Sequence, residues 1–166
     1  MKKYSVVVMG VAGCGKSSLA TVLAAAERAH LIEGDAYHSA SNREKMQRGV
    51  PLTDDDRAGW LDTLADQLRA QPDNVVLTCS ALKLAYRERL RAATSDLRFV
   101  FMEIDPSSAR ARVEARAHFF SPTLIASQFA TLESPVGERG VLRVDALAPL
   151  AQLQVEVSAW LRGETS

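Results

Sequence analysis

Gly10-Val11-Ala12-Gly13-Cys14-Gly15-Lys16-Ser17 satisfies the pattern G-x-x-x-x-G-K-[ST], and it restricts the fold of this 166-residue chain more than any other stretch. The pattern works only where a strand stops and a helix starts. Its glycines must take positive φ and bring backbone N–H groups against phosphate, at the positive end of a helix. The flanks supply both elements: Tyr4 to Met9 is a short β-branched run, and Lys16 to Arg28 is rich in strong helix formers. These eight residues are therefore expected to bind ATP with magnesium. Lys16 would reach the β- and γ-phosphates, and Ser17 would ligate the metal.

Four more short strands are predicted: Leu31-Ile32, Val75 to Thr78, Arg98 to Ile104 and Val141 to Val144, each followed by polar or small residues and separated from the next by helical sequence. Strands that read as continuous apolar runs and alternate with helices imply a parallel sheet covered on both faces, a three-layer α/β fold. One domain spanning residues 1–166 fits the length, with insertions at about 36–60 and about 116–135 placed to cover the site. In such sheets ligands collect beyond the carboxyl ends of the strands, so Glu33, Asp35, Ser80 and Asp145 are expected to share an edge with the phosphate loop.

Lys plus Arg and Asp plus Glu both number 20, so no global field attracts nucleic acid or an anionic membrane, and any anion site must be local. No apolar run approaches the length of a membrane span, and the Lys2-Lys3 start leads into a strand without a cleavage site, so a cytoplasmic location is expected. Cys14 and Cys79 are too few for a disulfide framework and read as free thiols.

Glu33-Gly34-Asp35 places two carboxylates at the end of the second strand, on one side if the segment is extended. Glu33 is a candidate to hold magnesium through water, and Asp35 to orient or deprotonate an acceptor hydroxyl. The alternative is a solvated acidic turn. Lys83 and Arg87, four residues apart, share a helix face that is either an ordinary charged surface or a substrate contact.

Four ordered blocks resemble the gluconate kinases: Gly34-Asp35-Ala36-Tyr37-His38, Asn42-Arg43-Glu44-Lys45-Met46, Pro51 to Arg57, and Cys79-Ser80-Ala81-Leu82-Lys83 running on to Arg87. His118-Phe119-Phe120, Ser127-Gln128-Phe129, Leu132-Glu133 and Pro135 are similar to that family's lid. The resemblance implies a P-loop fold like adenylate and shikimate kinases and ATP-dependent phosphorylation of D-gluconate at its 6-hydroxyl by a homodimer. It also implies that Asp35, His38, Asn42, Lys45, Arg57, Ser80, Lys83, Arg87 and His118 contact the substrate. A polyol carboxylate needs both the cations and the hydrogen-bonding groups in that set. Ser18 joins the nucleotide-binding residues, Arg112 would lie against adenine, and Arg116 would reach the transferring phosphoryl group, a catalytic role shared with Lys16 and Asp35.

The chain departs from the family at Arg116-Ala117-His118-Phe119, which is one residue shorter than usual, so the positions of Arg116 and His118 are expected to shift. Three other readings stay open: a shikimate-type kinase, another small-molecule kinase, and a catalytically weak nucleotide sensor.

Overall fold

The computed structural model describes residues 3–116 and 122–163. Five parallel strands, β1 (Ser5–Met9), β2 (His30–Glu33), β3 (Val75–Thr78), β4 (Arg98–Glu103) and β5 (Val141–Asp145), form one sheet in the order β2-β3-β1-β4-β5. Seven helices were found among the described residues: α1 (Lys16–Glu27), α2 (Ala40–Gln47), α3 (Asp54–Ala70), α4 (Leu84–Arg91), α5 (Pro106–Arg116), α6 (Pro122–Thr131) and α7 (Leu150–Leu161).

The three-layer α/β expectation holds, and the period-2 alternation of β1 shows why. Val6 and Val8 join Leu19 and Leu23 of α1 and Leu153 and Val157 of α7 in one core. Val7 and Met9 point the other way, onto Trp60, Leu61 and Leu64 of α3 and Leu90 of α4. Every residue of β1 is buried, so a run that alternates in direction still reads as continuously apolar. Leu153, Val157 and Leu161 of α7 pack inside the chain on the layer shared with α1, while Leu150 and Val155 are exposed. No helix among the described residues is long and apolar enough to cross a membrane.

Because α1 lies on one face and α4 on the other, the connections from the neighbouring strands β1 and β3 depart in opposite directions. A crevice therefore opens beyond their carboxyl ends, flanked by the Gly10–Ser17 loop and by Ser80. Gly15 caps α1 in the left-handed conformation, φ 97°, which a side chain would disfavour. α3 starts with a reciprocal cap: Asp56 N donates to Thr53 Oγ1, and Thr53 N donates to Asp56 Oδ2.

Gly34 follows β2 in a 3-10 turn and is wedged against β3. A Cβ there would lie 2.0 Å from the Thr78 carbonyl oxygen. Its N–H donates to Thr78 Oγ1 at 3.0 Å, and its carbonyl accepts from Trp60 Nε1 at 2.8 Å. The backbone cannot retreat without breaking these bonds. Gly34→Ala should lower unfolding free energy by at least about 1–3 kcal/mol, the range for overpacking, measured as a fall in the urea midpoint at unchanged m-value.

Candidate active site

The phosphate loop sits on a cavity of about 230 Å³ that takes in Lys16, Ser17, Asp35, His38, Arg57 and Ser80 of the residues singled out from sequence, along with Arg116. Lys16 Nζ donates to the carbonyls of Gly10 (3.0 Å) and Val11 (3.2 Å), which lays the ammonium across the mouth of its own loop. Ser17 Oγ donates to Glu33 Oε2 at 2.9 Å, and the same oxygen accepts from Thr78 Oγ1 at 2.9 Å.

The Ser17 hydroxyl at the start of α1 and the Glu33 carboxylate at the end of β2 are hard donors suited to magnesium. Among the described residues there is no cluster of three His, Cys, Asp or Glu for a metal. Thr78 escaped the sequence reading, although its signal lay in the strand register, which sets Glu33 beside Thr78 across β2 and β3.

Asp35 is 83% exposed in its side chain and faces the cavity from the 3-10 turn. The extended Glu33–Asp35 geometry expected from sequence is thus replaced: β2 ends at Glu33, and the bonds at Gly34 turn the chain. His38 stacks on Trp60 with centroids 4.1 Å apart, and its Nε2 lies 3.8 Å from Asp35 Oδ1. Asn42 Nδ2 lies 3.3 Å from His38 Nδ1 and also donates to the Asp56 carbonyl at 2.9 Å. An amide nitrogen can only donate, so Nδ1 accepts and the neutral ring carries its proton on Nε2, toward Asp35. Burial pushes the imidazole below its ordinary 6.5; Arg57 and Arg43 act in the same direction, and Asp35 opposes them.

Several expected substrate contacts are placed elsewhere. Arg87 is fully buried, and its guanidinium is occupied. Nε and Nη2 grip Glu138 at 2.9 and 2.6 Å, Nη1 donates to the Ala81 carbonyl at 2.7 Å, and Nη2 also reaches the Glu133 carbonyl at 2.9 Å. It ties the chain after α6 to the loop after β3 and has no face to offer a ligand.

Lys83 is the N-cap of α4 and extended, so it does not share a helix face with Arg87; it pairs with Asp54 at 2.9 Å. Lys45 is engaged by both oxygens of Asp56, at 2.8 and 3.0 Å, and holds that carboxyl down at about 2 together with the Thr53 amide. Asn42 is buried behind His38 rather than on the cavity. In each case a carboxylate or carbonyl of the chain itself takes the donor.

Arg57 differs. It is buried, lines the cavity, and donates from Nη1 to Tyr86 Oη at 3.0 Å, with no carboxylate at ion-pair distance among the described residues. Tyr86 Oη in turn bonds Asp54, which also holds Lys83.

On the other flank of the loop Arg112 donates to the carbonyls of Gly13 (3.3 Å), Cys14 (3.1 Å) and Ala146 (2.9 Å). It lines a second cavity with Ser18 and Gly15, and Arg116 borders both cavities. His118, Phe119 and Phe120 lie outside the described residues. Cys14 and Cys79 are buried and free, and burial pushes the Cys79 thiol up to about 12. Gln128 and Trp60 were missed as site residues. Gln128 reaches the loop, its Oε1 accepting the Ala12 amide at 2.7 Å.

A parallel sheet of this order, with a nucleotide-binding loop at its central strand and an acceptor cavity beside it, defines a P-loop kinase. A family model described as an AAA domain matches residues 6–133. Within that class the chain belongs to the gluconokinase family. It is 45% identical over 148 residues to a gluconokinase of Gluconobacter oxydans, covering 87% of this chain and 83% of the relative. To the thermoresistant gluconokinase of Escherichia coli it is 42% identical over 149 residues, covering 87% and 85%. The crystal structure of a gluconokinase from Sinorhizobium meliloti superposes with a TM-score of 0.86 at 38% identity, over 99% of this chain and 100% of that one.

The His38 arrangement has a consequence for stability. Its folded pKa lies below its unfolded one, so below pH 6.5 the unfolded chain takes up a proton that the folded chain refuses. Stability is full above that pH and declines as pH falls, by at most about 1.4 kcal/mol per pH unit. Urea midpoints between pH 7.5 and 5.5 should fall less steeply in His38→Asn than in the parent chain.

Proposed function

We propose that this enzyme transfers the γ-phosphoryl group of ATP, as its magnesium complex, to the 6-hydroxyl of D-gluconate, giving 6-phospho-D-gluconate and ADP. Family membership supports the acceptor, and one observation carries it: Arg57 is buried in the wall of the cavity, with no carboxylate at ion-pair distance among the described residues. A buried guanidinium without an acidic partner favours an anionic ligand. The carboxylate of gluconate is assigned to Arg57 and its reacting hydroxyl to Asp35, both of which line the cavity.

ATP supplies the phosphoryl group, and magnesium supplies charge to offset that of the phosphates. The chain's own residues do the rest. Lys16 adds the positive charge of its ammonium, and Ser17 with Glu33 would hold the metal. Asp35 accepts the proton of the attacking hydroxyl. His38 stands beside that carboxylate, its Nε2 3.8 Å from Asp35 Oδ1, and Arg116 adds positive charge on the side of the loop shared with the nucleotide cavity.

Coupled ADP release with gluconate, shikimate, AMP or no acceptor tests the reading; turnover independent of gluconate would overturn it. Lys16→Ala and Asp35→Asn should both abolish gluconate-dependent turnover, and Asp35→Asn should largely keep ATP affinity. Equal loss of ATP binding in the two variants would refute the role of Asp35. Arg57→Gln should raise KM for gluconate by about 10–100-fold, the worth of a charge-assisted hydrogen bond. It should also erase the preference for gluconate over the uncharged polyol glucitol.

A further inference from the structure

α6 carries no charged side chain, and its two faces do different work. Leu124 and Ile125 are buried, and Ile125 and Phe129, one turn apart, belong to the core shared with α1. Ser127 and Gln128 face the cavity that holds Lys16 and Asp35. Gln128 is the residue that bridges: its side chain meets the backbone N–H of Ala12, inside the phosphate loop, at 2.7 Å. A backbone N–H can only donate, so the carboxamide oxygen must face Ala12 and the NH2 group must point away from it. No acceptor within the described residues takes that NH2 group.

The helix is also held firmly at its end. Leu132 N donates to the Gln128 carbonyl, and Glu133 N donates to the Leu82 carbonyl at 2.8 Å. The Glu133 carboxylate caps α4 through Leu84 N at 2.8 Å, and Arg87 clamps Glu133 and Glu138. Gln128 thus reaches the phosphate loop from a frame fixed to the loop after β3, not from a freely hinged segment.

We propose that Gln128 is a phosphate-positioning residue of this kinase: its oxygen sets the phosphate loop at Ala12, and its NH2 group donates to the terminal phosphate of the bound nucleotide. Glutamine suits both tasks because it carries an acceptor and a donor on one rigid plane. A glutamate would keep the bond to Ala12 but set a negative charge against phosphate. An alanine would lose both contacts. The proposal rests on the kinase reading above for its ligand, but its decisive measurement needs no acceptor.

The experiment compares binding of Mg-ADP and of a magnesium-bound non-hydrolysable ATP analogue by calorimetry, in the parent chain, Gln128→Ala and Gln128→Glu. Gln128→Ala should weaken the analogue about tenfold or more relative to ADP, as for loss of one charge-assisted donor. Gln128→Glu should weaken it further, with thermal midpoints close to the parent's. In turnover assays kcat should fall by about 10–100-fold with KM for gluconate little changed. Unchanged discrimination between the two nucleotides overturns the proposal. So does equal weakening of both with a lowered midpoint, which would make Gln128 a structural strut only. Should gluconate prove not to be the acceptor, the turnover arm is lost but the nucleotide comparison still decides.

Discussion

The site depends on one shared oxygen. Glu33 Oε2 accepts from Ser17 at the start of α1 and from Thr78 at the end of β3, joining the phosphate loop to the two strands on its acceptor side. Thr78 Oγ1 also accepts from the Gly34 N–H, so the hydroxyl that steadies Glu33 fixes the turn that aims Asp35. The residue offered to the metal and the residue offered to the acceptor hydroxyl are therefore referred to the same point. In phosphoryl transfer, where the protein contributes chiefly by placing charges, such a common origin limits the error between donor and acceptor.

Charge is distributed around this point by internal neutralisation. The acceptor side carries four candidate cations, and three are consumed: Lys45 by Asp56, Lys83 by Asp54 and Arg87 by Glu138. Burying a guanidinium as deeply as Arg87 costs several kcal/mol unless paired and fully hydrogen-bonded, which accounts for its two-oxygen grip on Glu138. Burial would raise the Glu138 carboxyl, but the hydrogen bonds from Arg87 and Arg91 outweigh it and hold it below its ordinary value. Asp54 is likewise held low by Tyr86 and then Lys83. Arg57 is hydrogen-bonded to this network through the neutral Tyr86 hydroxyl rather than through a carboxylate, and it lines the cavity.

Legibility in the sequence followed the range of the interactions. All five strands and α1 were readable to within one or two residues, because β-branched runs, helix propensity and the glycine pattern are local signals. Lys16, Ser17 and Asp35 were readable because strand ends in a parallel sheet converge on one edge. Lys83 and Arg87 were not, since their spacing says nothing about Asp54 and Glu138, which are 29 and 51 residues away. The helical face assumed for them also fails one residue early, at the Lys83 cap. Thr78 has no distinctive local context, Gln128 reads only as part of a lid-like block, and their partners come from strand register and from a segment 116 residues distant from the loop.

The correction at Arg87 changes the mechanical picture of the cleft. A substrate ligand at that position would be free to move with an opening wall. A buried ion pair instead fixes the chain at residues 133–138 to the loop that bears Ser80, because breaking it would strand two charges in a poorly hydrated interior. The far end of α6 is thereby tied to the loop after β3, while Gln128 bonds the phosphate loop. The α5 side of the loop is held differently. Arg112 is bound there to loop carbonyls, and Arg116, exposed, borders both cavities. The loop after β3 is held by a buried ion pair, whereas α5 is held to the phosphate loop and Ala146 by charge-assisted bonds from Arg112 to three carbonyls.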